Sequence, residues 1–160
     1  MSSSAIPLST FQSRLLRPIL FGGILAGTFD LTCAFITMGL GNPRAIAGGV
    51  LGRQAALQGG AGTWILGVFL HYFIALSAAT IYCLASRKLE FLKQHWLVNG
   101  IFYGIAVFLV MYLVVLPLCA YHVAGPYRYR DLIQGILAHI FLIGVPISFS
   151  LHKFSGSDSR

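Results

Sequence analysis

Three ionisable residues stand in stretches otherwise fit for hydrocarbon: Asp30 in GTFDLTCAF, His71 in GVFLHYF and His139 in GILAHIF. A carboxylate and two imidazoles held together can relay protons or hold an ion, and ionisable groups within membrane spans commonly mark such pathways. Two facing imidazoles can also supply both axial ligands of a haem iron. A carboxylate at the bilayer centre costs about 2.5 to 3.5 kcal/mol on insertion scales, so Asp30 requires a hydrogen-bonding partner or protein surroundings.

The residues sharing a helical face with Asp30 are Gly23, Ala26, Gly27, Cys33, Ala34 and Thr37, all of them small. Such a stripe lets helices approach closely, so it is expected to meet protein, leaving Phe21, Leu25, Phe35 and Ile36 for lipid. His71 has Gly67 and Ala75 on its face and His139 has Gly135, which gives each room to point inward. At a helical rise of about 1.5 Å per residue, Asp30, His71 and His139 lie roughly 18, 21 and 19 Å from the same membrane surface. The sharp expectation is one polar cluster of Asp30, His71 and His139. The competing one makes each histidine a neutral packing residue and leaves Asp30 protonated or bonded to Thr32, Thr37 or Tyr112.

Ligand chemistry has thinner support. His71 and His139 could hold a haem, with His95 and His152 as a second layer, but His95 falls in a charged loop and His152 follows the last span. No His-x-x-x-His or Cys-x-x-Cys spacing occurs, so no metal site and no cofactor are assigned. A nucleophile elbow, a phosphate loop and paired catalytic carboxylates are also missing from the sequence. Glu90 and Asp158 fall at a membrane surface, and Asp131 suits the positive end of a helix dipole. The expectation is a protein that is not an enzyme.

The elements that would position these residues are four apolar runs at residues 18–40, 61–85, 97–119 and 131–151. Each approaches or exceeds the roughly 20 residues needed to cross a hydrocarbon core of about 30 Å. Of the 160 residues 57% are hydrophobic and 9% charged, and the mean hydropathy is +0.80, outside the range of soluble domains. The expected fold is therefore all-α: a polytopic membrane four-helix bundle forming one domain over 18–151, between an N-terminal tail (1–17) and a C-terminal tail (152–160). After the first span, Pro43 can start a short helix whose Ala45, Ile46, Val50 and Leu51 make an apolar face before Gly59-Gly60. That segment is expected to lie at the interface or to re-enter the membrane.

Small residues predict where helices meet: Gly23 and Gly27, Gly67, Gly100 and Gly104, and Gly135. Gly23-Ile24-Leu25-Ala26-Gly27 matches Gly100-Ile101-Phe102-Tyr103-Gly104, and Gly67-Val68-Phe69-Leu70-His71 matches Gly135-Ile136-Leu137-Ala138-His139. The common order fits two two-helix halves related by an axis along the membrane normal, although short matches also arise by chance in Gly-rich apolar sequence. Val107 stands where such a repeat would place Asp30. Pro117 and Pro146 are the expected bends, because proline removes a helix hydrogen bond.

The formal net charge is +7, yet the basic residues flank spans and form no continuous basic face, which argues against nucleic acid. Arg14, Arg17, Arg87, Lys88, Lys93, Lys153 and Arg160 share one side, against Arg44, Arg53, Arg128 and Arg130 on the other. That bias places both termini in the cytoplasm. Trp96 and the tyrosines Tyr121, Tyr127 and Tyr129 suit the membrane interface. The first run is too long for a signal-peptide core and lacks a cleavage site after it, so it is kept as a span. Cys33, Cys83 and Cys119 all lie in spans and read as small packing residues.

GTFDLTCAF in the first span, GGVLGRQAALQGG after it, LHYFIALSAATIY in the second, VVLPL ending the third and HIFLIGVPI in the fourth together resemble a family of small, uncharacterised four-helix bacterial inner-membrane proteins. The resemblance extends over residues 20–151. It implies a multi-pass protein of a bacterial cytoplasmic membrane and carries no activity across. The functional expectation is proton- or ion-linked small-solute transport or sensing through Asp30, His71 and His139. The alternative is a non-catalytic subunit of a homo-oligomer or membrane complex, packed through its small-residue faces, with a haem- or metal-binding bundle as the third reading. In every case the lipid bilayer is the primary partner.

Overall fold

The structure is a computed structural model that describes residues 8–120, 122 and 126–155. The expected tails therefore fall partly outside the described residues, as do Tyr121, Asp158 and Arg160. Among the described residues the chain is helical and forms no strand: α1 (Leu8–Met38), α2 (Asn42–Leu51), α3 (Arg53–Gln58), α4 (Ala61–Ala85), α5 (Phe91–Gln94), α6 (Trp96–Leu118) and α7 (Tyr129–Ser155). Four stretches are long and apolar enough to cross a membrane: Leu15–Met38 of α1, and α4, α6 and α7. The protein is an all-α, multi-pass membrane bundle.

Helix α1 begins at Leu8, within the segment expected as a tail, and Pro18 lies inside it. Proline forfeits one backbone bond without closing the helix to residues after it. Pro18 is buried, and its carbonyl accepts a hydrogen bond from Ser150 Oγ of α7 at 2.9 Å. At the other end Gly39, with φ +83°, turns the chain out of α1 while its N–H still reaches the Phe35 carbonyl at 3.0 Å. Pro43 occupies the first turn of α2, where a missing N–H costs nothing, and Gly52, with φ +91°, divides α2 from α3.

The spans pack in the order α4, α1, α7, α6, so α1 and α7 are central. The α1–α4 contact runs over Gly23, which lies against Leu76, and Gly27, which lies against Tyr72 and Ala75. The α6–α7 contact is closer still, because Gly100 and Gly104 meet the α7 backbone at Gly144, Val145 and Ile140. Between α1 and α7, Gly22 meets Ser150 and Ile147. Backbones approach to this degree only where a Cβ is missing, and the dispersion energy of such close packing is the main attraction between helices in lipid.

α4 and α6 do not close on each other in the same way. Helix α2 stands between them on the side away from the termini: Gly67 of α4 abuts the Pro43 carbonyl, while Gly49 faces Cys119 and its carbonyl accepts the Ala120 N–H at 2.7 Å. Pro43, Ala47 and Gly48 are buried. Gly67 thus packs against this short helix rather than against another span. Trp64 fixes the entry to α2, donating Nε1–H to the Leu40 carbonyl at 2.8 Å and stacking on Phe35. Phe35, expected to face lipid, is half-buried there.

Toward the termini lies the core of Ala26, Ala78, Ala79, Tyr82, Cys83, Ile143, Ile147 and Leu151. The outer surface is apolar, with Ile36 80% exposed, Leu113 68% and Phe102 65%, which is the surface a bilayer would cover.

Candidate functional site

Asp30 and His71 come together where α1 crosses α4 at Gly27. The missing Cβ of Gly27 lets α4 approach far enough for His71 Nε2–H to donate to the Gly27 carbonyl at 2.9 Å. A carbonyl only accepts, so this nitrogen carries the proton and the lone pair of a neutral ring lies on Nδ1. Asp30 Oδ2 stands 3.9 Å from the same nitrogen. That separation permits an ion pair but exceeds a hydrogen bond. The His71 side chain is 11% exposed and that of Asp30 24%, so the carboxylate is the more open of the two.

The helical phase of α1 explains the arrangement, since Thr28 and Asp30 flank Gly27 on opposite sides of the contact. On the Thr28 side, Tyr72 OH meets Thr28 Oγ1 at 3.0 Å, and Thr28 Oγ1–H is donated to the Ile24 carbonyl at 2.8 Å. The rings of His71 and Tyr72 stand edge to face at 5.8 Å. The crossing therefore carries a hydroxyl pair on one flank and a carboxylate–imidazole pair on the other. Thr32 and Thr37 bond carbonyls of their own helix, those of Thr28 and Cys33, and take no part in holding Asp30.

His139 is placed differently. Its Nδ1–H is donated to the Gly135 carbonyl of its own helix at 2.8 Å, and its ring stands edge-on to Phe108 of α6 at 5.6 Å. Phe108 stacks on Tyr112 at 4.3 Å, and Gly135 lies directly against both rings. His139 thus joins an aromatic cluster between α6 and α7, and no contact among the described residues links it to Asp30 or His71. Tyr112, another candidate partner of Asp30, belongs to this cluster as well.

His139 also opens a π-helical turn, His139–Gly144, and α6 has a second one at Met111–Val115. Pro146 and Pro117 each follow two residues after such a turn. A proline ring collides with the carbonyl four residues before it, and one wider turn relieves that clash. The bends expected at Pro117 and Pro146 thus take the form of π turns on their N-terminal side.

The two sequence matches occupy corresponding crossings: His71 reaches the Gly27 carbonyl between α1 and α4, and the His139 carbonyl lies beside Gly104 between α7 and α6. Only the first crossing holds a carboxylate. No group of three or more His, Cys, Asp or Glu residues gathers at metal-binding distance among the described residues. His152 Nδ1–H is donated to the Lys93 carbonyl at 2.7 Å, and His95 is exposed.

A second polar layer, near the ends of the spans that lie with the termini, was not anticipated. Tyr82, 2% exposed, meets Ser148 Oγ at 2.6 Å, Tyr103 OH donates to the Ala78 carbonyl at 2.6 Å, and Asn99 Nδ2 donates to the Phe91 carbonyl at 2.8 Å. The signal for it in the sequence is the presence of Ser148, Ser150 and Asn99 in apolar runs, since polar groups in hydrocarbon must find partners. Comparison of the chain with protein-family models, curated proteins and solved structures finds no match.

Proposed function

We propose that this membrane protein is a non-enzymatic, proton- or ion-linked transporter or sensor of a bacterial cytoplasmic membrane, with both termini in the cytoplasm. The observation that carries this reading is the Asp30–His71 pair at an intramembrane crossing of α1 and α4. A second proton on His71 creates a cation 3.9 Å from a carboxylate, and that attraction competes with the bond to Gly27 that now ties α4 to α1. A change of protonation is thereby coupled to the packing of two spans. Tyr72 is the neighbouring titratable group on α4, His139 the ionisable residue of α7 nearest in depth, and Arg44 of α2 is exposed.

The alternative of a subunit packed through its glycine faces finds less support. Gly23, Gly27, Gly67, Gly100 and Gly104 are buried against other parts of the same chain, so a partner could reach them only by unpacking it. The test is proton flux in liposomes loaded with a pH-sensitive dye and containing the protein, Asp30→Asn, or His71→Ala. Flux should fall at least tenfold in both variants, with His139→Ala affected less. Wild-type flux in Asp30→Asn would remove the role assigned to the pair, and no flux in the wild type would remove transport.

A further inference from the structure

The separation of α4 from α6 leaves a groove of about 340 Å³ lined by Ile81, Tyr82, Ala85, Phe102, Tyr103 and Ala106 of the two spans. Phe91 and Leu92 of α5 close its end toward the termini, and they are pinned there by the two spans themselves. Tyr82 OH donates to the Leu92 carbonyl at 3.2 Å and Asn99 to that of Phe91. The lining is otherwise hydrocarbon. We propose that this groove holds one acyl chain of an anionic phospholipid, drawn from the leaflet on the side of the chain termini.

Depth selects the occupant. The groove ends at Ala106, ten residues into α6 and roughly 15 Å from its start at about 1.5 Å per residue. That is half of a hydrocarbon core of about 30 Å, the thickness of one leaflet. The other half of the gap is already filled by α2, seated on Gly67 and bonded to Ala120. A helix from a second copy would run the full thickness and strike α2, whereas an acyl chain needs only the open half.

Charge selects the headgroup. The turn and short helix that close the groove carry Arg87, Lys88 and Lys93 against the single acid Glu90. The Lys88 N–H is donated to the carbonyl of Ala85, a groove residue, so this lysine stands one turn beyond the mouth. An ammonium at headgroup level attracts a lipid phosphate and its net negative charge.

The test is native mass spectrometry of the detergent-purified chain, titrated separately with phosphatidylglycerol and phosphatidylcholine. One phosphatidylglycerol per chain should survive detergent removal, at several times the occupancy of phosphatidylcholine. Ala106→Trp, which fills the groove from an exposed position, should lower that occupancy at least tenfold. Leu113→Trp, also at an exposed position on α6 but outside the groove, should leave it unchanged. Lys88→Gln combined with Lys93→Gln should abolish the preference for phosphatidylglycerol while retaining a bound lipid. Undiminished lipid in Ala106→Trp, equal binding of the two lipids by the wild type, or a disulfide-linked dimer through Phe102→Cys in place of lipid would overturn the proposal.

Discussion

Replacement of Gly104 by alanine puts one methyl group into the close contact between α6 and α7. A Cβ there would lie 2.5 Å from Ile140 Cα, 2.6 Å from the His139 carbonyl oxygen and 2.8 Å from Ile140 N, all backbone atoms with no rotamer to escape into. Carbon–carbon contact is most favourable near about 3.5 Å, so α6 and α7 must part by about 1 Å around this point. Overpacking of this kind costs about 1–3 kcal/mol, while alanine regains about 1 kcal/mol of helix propensity. The net expectation lies between no change and a loss of about 2 kcal/mol against the wild type, and about 1–3 kcal/mol below a glycine-to-alanine change that meets no backbone. Gly62→Ala is the internal control, because that glycine lies in α4 with nothing within 4 Å of its would-be Cβ. It should gain up to about 1 kcal/mol from propensity alone. Reversible unfolding in mixed micelles, titrated with a denaturing detergent and followed by tryptophan fluorescence, measures both. If Gly104→Ala gains as much as Gly62→Ala, the reasoning from backbone contact is wrong.

Two further outcomes follow from the buried layer and from α2. A double-mutant cycle of Tyr82→Phe and Ser148→Ala should give a coupling of about 0.5–1.5 kcal/mol, since the 2.6 Å bond joins two buried hydroxyls; additivity would mean that the bond contributes nothing. Gly67→Ala would drive a methyl into the Pro43 carbonyl and lift α2 from α4, and so expose Cys119, which α2 now faces through Gly49. In a Cys33→Ser background, labelling of Cys119 by a water-soluble maleimide should accelerate severalfold in Gly67→Ala. An unchanged rate would show that α2 does not depend on this contact.

The membrane bundle follows from the sequence alone, because lipid-spanning helices need long uninterrupted apolar runs and nothing in the lateral arrangement alters that requirement. The spans accordingly start and end within a few residues of expectation, and the small residues Gly23, Gly27, Gly100 and Gly104 already marked close helix contacts. Which helices they join is a different matter, since a missing Cβ admits any partner backbone. Only the tertiary structure sets α1 on α4 through Gly27, α6 on α7 through Gly144, and Gly67 on α2. The same holds for the ionisable residues. Depth along a helix axis can be counted from sequence, and Asp30, His71 and His139 do share a layer by that count. Their direction around the axis depends on how each helix is rotated, and π turns before Pro117 and Pro146 add residues that a fixed 3.6-residue period does not include. That rotation puts His71 beside Asp30 and His139 beside Phe108.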